Sequence, residues 1–337
     1  MKNKIMLLLL VFMFLTGLFI STSYPAEKKI VIRATHEVTT TGDLHLVLEE
    51  FKRLAEKELP GRLDIRIYPL GELFKDKESF DQIRMGNVEL GGGTMGTLAA
   101  VIDSRLAILD LPFLFPSFES MRGLLKSGLG KELEKMIEAK GLKILGVGRS
   151  TRLGLVTKKG PARHPNDIKG MVIRGFSPIV HKSMLSVWGA SYTYLSAAEI
   201  SHALETGVID GVWTSVLGWM MTKDPGNYFT VFPAAASPMY KVVSLDWWRR
   251  LPGDVRTGLT KAMDGALDYN WNVVSGGYEK KAFEQYPWGK GKYQAYFLGD
   301  NEAGVWREKS MAVYTDLEGT FGKELIASAR KFSMTGK

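Results

Sequence analysis

The chain has 337 residues, 44 Lys and Arg against 36 Asp and Glu, a formal charge of +8, and no cysteine. Without cysteine there are no disulfides, thiolate metal sites, thiol nucleophiles or lipid-modified cysteine anchors. The charge alternates along the chain instead of gathering into a basic stripe, so nucleic acid is not expected as a partner.

Lys2 and Lys4 precede an apolar run from Ile5 to about Ile20, and small residues follow near Ala26. This is the pattern of a secretory signal peptide over residues 1–26, and the run is short of the roughly 20 residues a spanning helix needs. Export as a soluble protein is therefore expected. The roughly 310 residues that follow exceed what one core usually supports, which predicts two lobes.

Beyond the leader, "KKIVIRATHE" reads as a strand running into a polar loop. Leu44, Val47, Leu48, Phe51, Leu54 and Ala55 form one helical stripe, begun at Asp43 and stopped by Pro60-Gly61. "RLDIRIYP" alternates as a strand ended by proline. A helix is predicted near Lys77 to Met85, and "VELGGG" reads as a short strand passing into a glycine-rich loop. This β-α-β-α-β opening is the signature of an α/β sheet.

"LDLPFLFPSFES" interrupts the pattern, and one long helix is predicted from about Ser120 to Lys140. "GLKILGVGRSTRLGLVTKK" predicts a strand, a turn and another strand. "MVIRG" is a further strand, with Arg174 at its end and a flexible Gly175 after it. "SPIVHKSMLSVWG" has helical spacing. "SAAEISHALETG" opens on the capping box Ser196-x-x-Glu199 and stops at Gly207, and "VIDGVW" returns as a strand. From "VVSLDWWRRLP" onward the chain reads as mostly helical.

Five scattered histidines offer no metal-ligand spacing, "GGGTMG" lacks the phosphate-loop lysine, and no nucleophile motif is present. No cofactor is expected. The arginines carry more: Arg149 and Arg152 flank a strand-to-strand turn, and Arg174 ends the next strand. Ligands of open α/β sheets bind outside the carboxyl ends of strands. A guanidinium there matches a carboxylate bidentately, although an arginine bridged to a local acid would leave the same trace.

The order and spacing of "HLVLEEFKRLAEKELPGRLDIRIYPLGEL", "IRMGNVEL", "LDLPFLF", "HPNDIKGMVIR" and "WGASYTYLSAAEISHALETGVIDG" resemble the DctP-type extracytoplasmic solute-binding proteins of TRAP transporters, across essentially the whole mature chain. The resemblance implies an α/β, two-lobed periplasmic-binding-protein-like fold (type II-like) with a long interdomain helix and hinge strands. Lobe I would take 27–149 plus about 239–275, and lobe II 150–238 plus about 276–337. It also implies a periplasmic monomer that closes over a small organic carboxylate and delivers it to TRAP membrane subunits for ion-coupled uptake. Arg174 would hold the carboxylate, and Arg152, with Arg149 as the alternative, would be the second anion contact. His36, Asp76 and Thr94 fall at the family's other polar contacts.

The chain departs from the family where "IDGVWTSV" puts Trp213 and Thr214 in place of glutamate and asparagine. A hydroxyl replaces an amide donor and a large apolar face is added. The expected ligand is thus a monocarboxylate with an apolar or aromatic part, stacked on Trp213 and Trp219, unless Trp213 packs in the lobe core. Two rival readings remain: an exported enzyme on the same frame, with His36 or Asp76 as general base, and a ligand-binding partner of a membrane sensor.

Overall fold

A computed structural model describes residues 29–233 and 237–335, and the leader expected over 1–26 lies outside them. Among the described residues the strands are β1 (Ile30–Thr35), β2 (Leu63–Tyr68), β3 (Leu90–Thr94), β4 (Leu142–Arg149), β5 (Leu153–Thr157), β6 (Val172–Arg174), β7 (Ser191–Thr193), β8 (Gly211–Ser215), β9 (Tyr228–Val231), β10 (Pro238–Ser244) and β11 (Gln294–Phe297). They form two sheets, ordered β2-β1-β3-β10-β4 and β11-β9-β5-β8-β6-β7. The turn between β4 and β5 therefore makes no hairpin. It carries the chain from one sheet to the other, and the chain returns between β9 and β10.

The third crossing is helical. Gly253–Tyr269 runs through a π-helical turn, Asn270–Val274, into Ser275–Gln285. The predicted stripe of the helix Asp43–Glu58 is inward-facing, with Leu44, Val47, Leu48, Phe51 and Ala55 buried. It packs on this crossing helix, where a Cβ at Gly258 would press on Leu59 and one at Gly265 on Leu54. No helix among the described residues is long and apolar enough to span a membrane.

Three sequence readings change. The "GGG" run is strand β3, not loop. A Cβ on Gly91 would collide with Ile83, and one on Gly92 would sit 2.8 Å from Leu44, so these glycines let two helices press onto the strand. The single helix expected over 120–140 is two, Phe118–Lys126 and Gly128–Glu138. Ser127 breaks it, its hydroxyl donating to the Leu124 carbonyl at 2.6 Å and accepting from the Gly130 amide at 3.4 Å. Lastly, "VVS" belongs to β10, which pairs antiparallel with both β3 and β4. Buried Lys241 interrupts the apolar run that would have marked it as a central strand.

The closing helices touch both halves. Asp300–Asp316 packs on Val180–Trp188, with the Trp188 indole N–H donating to Ser310 at 2.9 Å, while Lys323–Thr335 packs on Phe118–Lys126, with Ser120 donating to the Phe332 carbonyl.

The break at Ser127 gives a direct check. A Cβ on Gly130 would overlap the Leu125 carbonyl oxygen, a backbone atom that cannot rotate away. Gly130→Ala should destabilise the protein by about 1–3 kcal/mol, the usual range for overpacking, measured by urea unfolding. An unchanged midpoint would refute the account.

Candidate ligand-binding site

The carboxyl ends of β1, β3 and β4 lie on one edge of the first sheet, and those of the parallel neighbours β6 and β8 on the facing edge of the second. Between the edges is a cavity of about 140 Å³, an order of magnitude more than a single water requires. Its apolar lining includes Val38, Leu153, Phe176, Leu217, Met221 and Met239, and its hydroxyls come from Thr94, Thr97, Ser150, Thr214, Ser215, Thr222 and Ser237.

Arg174 lines this cavity and is 7% exposed. Its register places it opposite Thr193 of β7 and Val212 of β8, so its position is set from both sides. Nε donates to the Leu195 carbonyl at 3.0 Å, and the guanidinium lies 6.0 Å from the Tyr194 ring centroid. Gly175 is not there for flexibility: its added Cβ would meet the His181 Cβ at 2.8 Å. Glycine thus lets the next helix close against the arginine.

Of the other expected contacts, Thr94 and Thr214 also line the cavity. Thr94 caps the helix Met95–Val101, its hydroxyl accepting from the Thr97 amide at 3.3 Å. Arg152 is not among the lining residues. Its backbone N–H donates to Glu279 at 2.8 Å and its Nε pairs with the same carboxylate at 3.4 Å. Arg149, 4% exposed, donates to Glu279 at 3.0 Å and its guanidinium carbon lies over the Phe118 ring, 3.7 Å from the centroid. One glutamate from the crossing helix therefore gathers both arginines.

Trp213 points away from the cavity. It is 4% exposed and packs edge-on against Trp188, Phe232 and His181. It faces a separate void of only about 30 Å³, which shares Leu153 with the main cavity. Trp219 is fully buried, stacked on Phe229, its indole N–H donating to the Gly226 carbonyl. Along a strand successive side chains face opposite ways, so Trp213 inward to the core sends Thr214 to the cavity. His36 is buried and is not among the lining residues, its Nε2 3.0 Å from His45 Nδ1. Asp76 opens the helix Asp76–Arg84, and its side chain lies outside the described residues.

Sequence reasoning did not find Asp43, Glu37, Ser150 or Phe176, which also line the cavity. Asp43 had been read only as a helix start, and Glu37 is next to the residue the family pattern marks.

The groups around Arg174 are held neutral. Burial and then the arginine's charge push the His181 pKa down to about 3, and burial lifts the Tyr192 phenol to about 12. His181 Nδ1 accepts the Ser177 amide at 3.1 Å, which requires the unprotonated ring. Burial, and next the neighbouring His45, lower His36 to about 4. Where the sheets meet, burial raises the Asp110 carboxyl to about 6 against the pull of the Ser237 hydroxyl, which donates to it at 2.9 Å. A Cβ on Gly96 would press on both Ser177 and Asp110, so that glycine permits the contact between the two halves.

A cleft between the carboxyl edges of two α/β sheets, with one guanidinium and many hydroxyls among its described lining residues, is the arrangement of the two-lobed, periplasmic-binding-protein-like fold. Residues 34–319 match the family described as bacterial extracellular solute-binding protein, family 7, also called DctP. The chain belongs to that family, the DctP-type extracytoplasmic solute-binding proteins of TRAP transporters.

It is similar to the C4-dicarboxylate-binding periplasmic protein DctP of Rhodobacter capsulatus, 27% identical over 318 residues that cover 94% of this chain and 95% of that one. A TRAP periplasmic solute-binding protein from Shewanella oneidensis with bound succinate superposes with a TM-score of 0.83 at 20% identity, covering 91% of this chain and 100% of that one. The sugar acid binding protein DctPAm from Advenella mimigardefordensis in complex with galactonate does so with a TM-score of 0.85 at 20% identity, covering 92% and 100%. The family consists of binding proteins, so the enzyme reading built on His36 or Asp76 is set aside.

The buried histidines yield a pH prediction. Unfolded histidine takes a proton near 6.5, whereas folded His181 and His36 hold out to about 3 and about 4. The unfolded chain binds more protons below pH 6.5, so the folded state loses stability as pH falls through that window. Asp110 opposes this: its contribution is complete below 3.8 and is lost as pH rises through about 6. His181→Gln deletes one histidine and leaves the other groups in place. Its urea midpoint should fall less than that of the wild type between pH 7 and pH 5, and parallel falls would contradict the assignment.

Proposed function

We propose that the protein captures a small organic monocarboxylate with an apolar part and delivers it, as a periplasmic monomer, to TRAP membrane subunits for ion-coupled uptake. The observation that carries this reading is Arg174, 7% exposed at the carboxyl end of β6 and lining the cavity between the sheets. Its guanidinium would receive the carboxylate, with Thr94 and Thr214 as hydroxyl partners from opposite walls. The apolar part would lie against Phe176, Met221 and Met239, in place of the tryptophans expected to stack on it.

Micromolar affinity corresponds to about −8 kcal/mol, and one charge-assisted hydrogen bond contributes about 1.5–3 kcal/mol. Apolar burial and the hydroxyls must supply the rest. A ligand touching both walls stabilises the closed form by its differential affinity. The lobes we propose are 27–149 with about 239–275, and 150–238 with about 276–337, hinged at the β4–β5 and β9–β10 crossings and the π-helical turn. Arg152 then serves the hinge, through Glu279.

The test is to identify by mass spectrometry the acid that co-purifies with the exported protein, then to titrate it calorimetrically. Arg174→Ala should lose 2–5 kcal/mol of binding, because the carboxylate is left buried and unpaired. Near wild-type affinity would sink the reading.

A further inference from the structure

The cavity wall belonging to the first sheet carries carboxylates. Among the described residues lining the cavity, Glu37 and Asp43 are its acids and Arg174 its only Lys or Arg. Asp43 is 6% exposed and is the first residue of the 16-residue helix Asp43–Glu58. The positive end of such a helix favours an anion. Here the helix's own carboxylate stands at that end, with Gly42 and Leu44 beside it in the wall.

Asp43 Oδ1 accepts the Leu44 amide at 2.8 Å. Behind it lies Lys241, 1% exposed, with Nζ donating to the Met239 carbonyl at 3.3 Å and its charge attracted to Asp43. A helix-terminal acid matched to a buried lysine could serve the fold alone. Asp43 is nevertheless one of the residues lining the cavity, and Glu37 is another. A second carboxylate on the ligand would meet two acids there, whereas an ammonium would meet two acceptors. Burial raises the Asp43 carboxyl, and the charges of Lys241 and then Arg149 favour its ionised form, as a ligand ammonium would.

We infer that the ligand is a zwitterion, a small amino-carboxylate whose carboxylate is held by Arg174 and whose ammonium donates to Asp43, with Glu37 adding to the local field. The inference rests on the carboxylate reading above and narrows it.

The experiment is calorimetry on the whole mature protein with shape-matched pairs: leucine and 4-methylpentanoate, phenylalanine and 3-phenylpropanoate, 5-aminopentanoate and pentanoate, with succinate as the dicarboxylate. The amino member of at least one pair should bind about 10–100-fold more tightly than its deaminated partner, the span of one charge-assisted hydrogen bond, and more tightly than succinate. Asp43→Asn should erase that difference. If stranding Lys241 prevents this variant from folding, Asp43→Asn combined with Lys241→Met gives the same reading. Glu37→Gln should weaken the amino member several-fold more than it weakens the deaminated acid. Deaminated acids binding as well as their amino partners in every pair, or succinate binding best, would overturn the zwitterion while carboxylate capture stands. Binding by none of the probes would count against both.

Discussion

One buried carboxylate holds the architecture together. Glu279, on the helix that crosses between the halves, accepts from the Arg149 guanidinium at 3.0 Å and the Arg152 amide at 2.8 Å. These arginines bracket the point where the chain leaves the first sheet for the second. Nine residues earlier, the Asn270 side chain accepts the Arg149 amide at 2.9 Å and donates back to the Arg149 carbonyl at 3.4 Å. Asn270 opens the π-helical turn, and such single turns inside α-helices recur at functional sites. A buried arginine left unpaired would be strongly destabilising, so the pairing ties the two crossings into one joint.

That joint sets the edges of the sheets face to face, and the chemistry of the cleft follows. The strand ends at the cleft present Thr94, Arg174 and Thr214 because each is the last or next-to-last residue of its strand. Around Arg174 the neighbours His181 and Tyr192 are kept uncharged by burial. The field in the cavity is therefore shaped by a few charges fixed in the walls, with Arg174 on one side and Glu37 and Asp43 on the other. On the proposed reading such a pattern would select by the polarity of the guest from end to end, and the apolar lining would add affinity with little demand on shape.

Much of this was legible in the residues. The stripe from Leu44 to Ala55 faces inward, and the capping box at Ser196 and Glu199 forms, with the Ser196 amide donating to Glu199 at 2.9 Å. The position of Arg174 at a strand end could be read from "GMVIRG" alone. Other readings failed where a distant partner decides. Arg152 and Arg149 sit in the same short segment, and nothing nearby indicates that a glutamate 127 residues or more away will take both. Trp213 and Thr214 are adjacent, and which of them faces the cavity depends on which face of β8 becomes core.

The sequence by itself determined the helical and strand periods, the strand-end arginine and the family, because these are written in short-range spacing and in the order of motifs. Only the tertiary structure decided that β4 and β5 part company, that Trp213 is core, and that Asp43 lines the cavity. The physical reason is that a side chain's direction and its charge partner are set by whatever packs against it. Here those partners come from the other sheet or from the crossing helix.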